Sequence, residues 1–173
     1  MNIASPLSNI EKLAAHHVVS AFKCGKNSLD LFIRKHALLN QQVDSSQTYV
    51  VHRDNQVIAY YSLVYSEVSL DECPPEVRAD MPQDFAVPVM RFARFAVLKS
   101  EQGQGIGRAL LKDAFQRTVA AAEIAGLRAI VVDAIDDKMV NRYKEWGFIE
   151  CPIGELTLMI PIQTVRNLLA GTH

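Results

Sequence analysis

The chain has 173 residues, 49% hydrophobic and 21% charged, with a formal net charge of −1. That length allows one well-buried core and is short for two ordinary domains, so a single domain over residues 1–173 is expected. No apolar run reaches the ~18 residues of a membrane span, and the charge balance is not that of a strongly basic nucleic-acid-binding domain. The start "MNIASPLSNIEKL" lacks the basic and apolar regions of a signal peptide, which makes the cytoplasm the expected location.

In chain order, residues 8–42 read as mainly helical. Ser28 is a plausible cap, and Leu29, Phe32, Ile33, Leu38 and Leu39 give an apolar stripe at spacings of three and four. "FKCGKNS" just before is a turn-rich connector. "TYVVHRDNQVIAYYSLVYSEV" changes to β-branched and aromatic residues and reads as a hairpin turning at "RDNQ". The acidic, proline-containing stretch 71–88 reads as a loop or short helix over the surface. A strand is expected from about Val89 to Leu98, followed by a glycine loop and a helix to about Ala125, with Gly126 as its stop. "LRAIVVDAI" is apolar almost throughout, as in a strand buried on both faces. "DDKMVNRYKEW" reads as a short helix ended by Gly147, and "FIECPIGELTLMIPI" as one or two final strands. The order of strands and helices predicts an α/β (α+β) fold with a strand-to-helix crossover in its middle.

Cys24, Cys73 and Cys151 are odd in number and form no CxxC, so neither a disulfide framework nor a zinc ribbon is expected. His16, His17, His36, His52 and His173 fall in no ligand spacing, and no metal site is expected. Segment 71–84 carries a net −4, which leaves +3 on the rest of the chain and room for a mildly basic face.

Gly103, Gly105 and Gly107 stand between the expected strand and helix. A strand that feeds a helix through such a loop presents unpaired N–H groups at the positive end of the helix dipole, an arrangement that binds phosphate. Glycine matters there because a Cβ would hold the anion away and because some positions need positive φ. The dinucleotide pattern GxGxxG fails at Arg108, and GxxxxGK[ST] is absent. What stands is Gln102-Gly103-Gln104-Gly105-Ile106-Gly107-Arg108-Ala109, a match to (Q/R)xxGx(G/A).

That loop resembles the acetyl-coenzyme A loop of GNAT acetyltransferases. "FKCGKNSLDLFIRKHA", "TYVV", "AYYSLV", "RFARFAV" and "NRYKEWGF" follow in the order found in one branch, the tRNA-acetylating toxins of type II toxin–antitoxin pairs, and the resemblance covers nearly the whole chain. It implies a GNAT fold, a mixed sheet of about six to seven strands flanked by about four helices. It implies transfer of acetyl from acetyl-CoA to the α-amine of aminoacyl-tRNA, which blocks translation. A homodimer is implied too, with a ribbon–helix–helix antitoxin that neutralises the toxin and through which alone the pair meets and represses its operator DNA. An ordinary acetyltransferase of small amines or protein N-termini, and an acyl-CoA-binding module without turnover, are the competing readings.

The resemblance assigns Tyr143 as the general acid for the departing thiolate, a phenol with a reference pKa of ~10 being protonated at neutral pH. Packing beside Trp146 and Phe148 would explain the same residue. Phe95, Ala96 and Val97 are expected to offer a strand edge to the pantetheine arm, with an N–H near Ala96 or Val97 for the oxyanion. Gln102 to Ala109 would hold the diphosphate, and Asn141 would touch the coenzyme. Arg91 and Arg94, three apart on one strand, fall on opposite faces. Arg94 is the better candidate for tRNA phosphates, with Arg91 and Lys35 beside it and Arg108 and Lys23 extending the surface, although each could be an ordinary solvated cation. "VMRFARFAV" holds no carboxylate base. Neutralising a lysine amine at pH 7 costs roughly 4–5 kcal/mol, whereas an α-amine with reference pKa near ~8 needs far less, which favours the aminoacyl amine unless Glu101, Asp133 or a water chain acts as base.

Overall fold

A computed structural model describes residues 4–171; His173 lies outside them. Seven strands among the described residues form one mixed sheet in the order β1-β2-β3-β4-β5-β7-β6. The chain divides into two compact units, residues 1–64 with 93–114, and residues 65–92 with 115–173.

In the first unit β1 (Glu11–Lys12) pairs antiparallel with β2 (Gln47–Arg53), and β2 with β3 (Gln56–Val68). Asp54 and Asn55 turn this hairpin with φ of 48° and 67°, the left-handed pair that matches strand twist in a two-residue loop. The helical stretch begins later than its sequence predicts. Residues 8–26 are extended or turn-forming, because their backbone pairs with the hairpin instead: Leu13 N–H bonds Thr48 O, Ser8 N–H bonds His52 O and Val18 N–H bonds Asn55 O. Helix α1 (Asn27–Leu31) continues through a π-helical stretch, Phe32–His36, into α2 (Ala37–Gln42). Its N-cap is Lys26, not Ser28, and no side chain caps it. Asp30 instead turns its carboxylate back to accept the Cys24 N–H at 2.8 Å, closing the connector in which Gly25 sits at φ 102°.

Leu13, Phe22, Phe32, Ile33, Val50, Val57, Tyr60 and Ala96 form this unit's core, and Tyr60 donates its hydroxyl to Leu29 O at 2.6 Å. One buried polar pair crosses the hairpin: the Thr48 and Ser62 hydroxyls lie 2.7 Å apart with neither residue exposed. Thr48→Val strands the Ser62 hydroxyl in the core and is expected to lower unfolding free energy by about 1–3 kcal/mol, with most of the loss recovered in Thr48→Val/Ser62→Ala. Denaturant titration of the three proteins checks this.

Strand β4 (Val87–Val97), which belongs to the second unit as far as Phe92, begins two residues earlier than expected and there runs parallel to β5 (Ala129–Asp133), over Val89–Arg91 and Ala129–Val131. β5 pairs antiparallel with β7 (Thr157–Pro161), which also carries β6 (Ile149–Glu150). Val87, Val89, Ala129, Val131 and Met159 are buried with Val77, from the short helix α3 (Pro75–Arg78). Arg128 ties that acidic segment down, donating to Val77 O and Ala79 O, each at 2.7 Å. Helix α4 (Ile106–Ala122) keeps helical bonding to Ala125, whose N–H reaches Ala121 O at 2.9 Å. A final helix, α6 (Ile162–Ala170), follows Pro161 and buries Ile162 and Val165; the sequence reading ended in strands and missed it.

Candidate active site

The glycine loop lies in the first unit and is fixed at its base. Beyond β4 the chain makes a 3₁₀ turn, Lys99–Glu101, whose Lys99 N–H bonds Lys23 O at 2.8 Å. Glu101 receives the Arg53 guanidinium on both oxygens, at 3.1 and 3.2 Å. The Gln102 amide donates to Cys24 O and Val97 O, both at 2.9 Å, so this side chain anchors the loop and its expected contact with coenzyme falls to its backbone.

Above that base the loop is bare. Gly103 and Gly105 adopt φ of 82° and 84°, and a Cβ on either would meet nothing within 4 Å. Gly107 differs: an added Cβ would lie 3.0 Å from Phe95 Cζ, so this glycine admits close packing. Ile106 is buried beneath the loop, while Gln104, Arg108 and Ala109 are exposed. Ala109 N–H makes a helical bond to Gly105 O, which leaves the amides just before it at the N-terminus of α4 outside the helix ladder. Open space over left-handed glycines at the start of a 17-residue helix fits a diphosphate.

Of the strand residues, Ala96 is buried in the core, Phe95 and Val97 are half-buried, and the Val97 carbonyl is taken by Gln102. The β4–β5 ladder ends at Arg91, and β4 runs on to Val97. Arg94 is exposed, its guanidinium 4.8 Å from the Phe32 ring centroid. Lys35 and Lys23 are exposed as well.

Tyr143 belongs to the second unit, on α5 (Asp137–Glu145). The Asp136 carboxylate caps this helix by accepting Met139 N–H at 2.9 Å. Gly147, at φ 104°, ends it, and Phe148 N–H returns to Tyr143 O at 3.0 Å. The Tyr143 ring packs edge-on against Trp146 and Phe148, with centroids 5.7 and 5.2 Å away. Packing and acid chemistry are compatible, since burial pushes the phenol well above its ordinary value and keeps it protonated. Asn141 is exposed on the same helix. Arg91 is held by Asp133, which also accepts the Thr157 hydroxyl at 2.8 Å.

The three cysteines are free and buried. Burial pushes the Cys24 thiol up to about 11 and the Cys151 thiol up to about 12, so neither is a thiolate at neutral pH. The histidines are less scattered than their spacing implies. Glu11, His17 and His52 bring three candidate ligand atoms within 4.8 Å of one another. However, His17 Nδ1 accepts Ala14 N–H at 2.9 Å and His52 Nδ1 accepts Asn55 N–H at 3.1 Å. Each ring therefore carries its proton on Nε2 and donates it to Glu11 Oε1, at 2.8 and 2.7 Å. These two donors, His17 first, hold the Glu11 carboxyl below its usual value. A cation would need the lone pairs that this arrangement fills with protons.

The family model for the acetyltransferase (GNAT) domain matches residues 44–150. A tRNA-acetylating toxin of Mycobacterium tuberculosis (strain ATCC 25618 / H37Rv) is 39% identical over 151 residues, covering 87% of this chain and 90% of that protein. AtaT complexed with acetyl-methionyl-tRNAfMet superposes with a TM-score of 0.87 at 26% identity, covering 95% of this chain and 99% of that one. A tyrosine-to-phenylalanine mutant of AtaT, bound to the C-terminus of the antitoxin AtaR and acetyl-CoA, gives 0.80 at 27%, covering 98% and 100%. Sheet order, glycine loop and these matches lead to one assignment: the chain belongs to the GNAT acetyltransferase family.

Proposed function

We propose that this chain moves acetyl from acetyl-CoA to the α-amine of an aminoacyl-tRNA and so stops translation. The observation that carries the reading is the bare glycine turn, Gly103 and Gly105 at positive φ with open space above them, heading α4. Acetyl-CoA supplies the activated acyl group and a thiolate leaving group. Amides between Gln102 and Ala109 grip its diphosphate, and the edge of β4 at Phe95, Ala96 and Val97 aligns the pantetheine arm. Tyr143 delivers a proton to the departing sulfur. Both carboxylates that might have served as base are engaged, Glu101 by Arg53 and Asp133 by Arg91 and Thr157. With neither carboxylate free, an acceptor that arrives as a neutral amine fits best, which suits the ester-linked α-amine of a charged tRNA better than lysine.

Arg94 and Lys35 are the exposed cations assigned to tRNA phosphates; Arg91, tied to Asp133, has the weaker claim. The two units serve one acetyltransferase domain, working in the cytoplasm as a homodimer. Its neutralising partner is a ribbon–helix–helix antitoxin, through which the pair represses its operator. No helix among the described residues is long and apolar enough to cross a membrane.

Incubation with radiolabelled acetyl-CoA and either charged or uncharged tRNA tests the reading. Label is expected only on charged tRNA, released with the amino acid when the ester is hydrolysed. Label on free amines or peptide N-termini, with none on charged tRNA, overturns it.

A further inference from the structure

We infer that Arg53 is a positioning residue for coenzyme binding: through Glu101 it sets the glycine loop and offsets the acidic charge nearest to that loop in sequence. The inference rests on the acetyl-CoA reading above. Arg53 ends β2 at the hairpin turn, and its fork engages both Glu101 oxygens while its remaining nitrogen donates to Ser5 O. The two side chains are 23% and 16% exposed, so water screens the pair less than it would at an open surface. Glu101 is the last residue of the 3₁₀ turn, two before Gly103, and the sole acid between Leu98 and Lys112. The loop is thereby held from the hairpin by Arg53 and from the connector by Lys23 O and Cys24 O, with its glycine face clear.

Removing Arg53 does two things. It releases the turn that precedes the cradle, and it leaves the Glu101 carboxylate uncompensated beside the binding place of a diphosphate. A prop that acted by packing alone would do only the first. The two are separated by the double variant: if charge matters, Arg53→Gln/Glu101→Gln binds acetyl-CoA better than Arg53→Gln, because the exposed negative charge has been removed.

Calorimetric Kd and steady-state kinetics for acetyl-CoA are measured on wild type, R53Q, E101Q and the double variant, each checked for folding by circular dichroism. R53Q is expected to raise Kd and KM about tenfold with kcat within about twofold of wild type. E101Q loses less, the double variant recovers most of the R53Q loss, and the R53Q deficit shrinks as salt rises. Unchanged binding in R53Q, a double variant as weak as R53Q, or a fall in kcat with KM unchanged would each overturn the inference. Should R53Q not fold, R53K keeps the charge without the fork, and about a threefold rise in Kd is expected; no rise overturns the inference. Wild-type protein that binds no acetyl-CoA sinks the underlying reading as well, whereas wild-type binding equalled by R53Q sinks only this one.

Discussion

Tyr143→Phe is expected to lower kcat about a hundredfold to ten-thousandfold, the usual contribution of a positioned general acid, while leaving the Kd for acetyl-CoA near that of wild type. The substitution removes one oxygen and keeps the ring that packs on Trp146 and Phe148, so the fold should be undisturbed. In bacteria, induction of the unaltered chain should arrest growth and induction of the variant should not; arrest by both, or by neither, contradicts the role. The pH dependence follows from the same burial. The competent form of this phenol is the protonated one, and desolvation raises its pKa above the ordinary value of ~10. Loss of the acid on the alkaline side is therefore displaced above that value. The acidic limb of kcat/KM belongs to the acceptor amine, which must shed its proton before it attacks. An alkaline fall in kcat beginning below pH ~10, absent from the phenylalanine variant, would contradict this account of Tyr143.

Gly105→Ala should weaken acetyl-CoA binding by about tenfold to a hundredfold or more. Losing one or two charge-assisted hydrogen bonds, each worth about 1.5–3 kcal/mol, sets that range. Because no atom lies within 4 Å of the added methyl, packing is not disturbed; its φ of 84° alone should reduce stability by about 1–2 kcal/mol. A thermal melt and a calorimetric titration on the same sample separate the two effects. Large destabilisation with intact binding would remove the cradle from the mechanism.

The sequence made some of this molecule legible and hid the rest for physical reasons. Local signals survived: the turn at Asp54 and Asn55, the glycine loop, Gly147 ending α5, and the β-branched and aromatic composition of β2 all depend on neighbours a few residues away. Residues 8–26 misled, since their backbone partners are hairpin residues such as Thr48, His52 and Asn55, and no periodicity announces a pairing made with another segment. Ser28 looked like a cap, but Asp30 is the residue that closes the turn, by accepting an N–H from Cys24. Gly103 to Ala109 and, in the other unit, Tyr143 could be nominated as candidates from pattern and resemblance. The supports could not: Arg53 meets Glu101 across 48 residues, and the Gln102 amide meets Cys24 O across 78. His17 and His52 share Glu11 for the same reason, through β1 pairing on β2.

The ring of Phe95 sits beneath Gly107 while its own backbone belongs to β4. On the proposed reading, one aromatic residue joins the loop that would grip the diphosphate end of the ligand to the strand edge that would align its thiol-bearing arm, and their spacing is set before anything binds. When one end is seated, the other is presented at high effective concentration. Fragments that carry only one end would forgo that advantage, so on this reading the protein would prefer a whole coenzyme to its pieces by length as much as by contact.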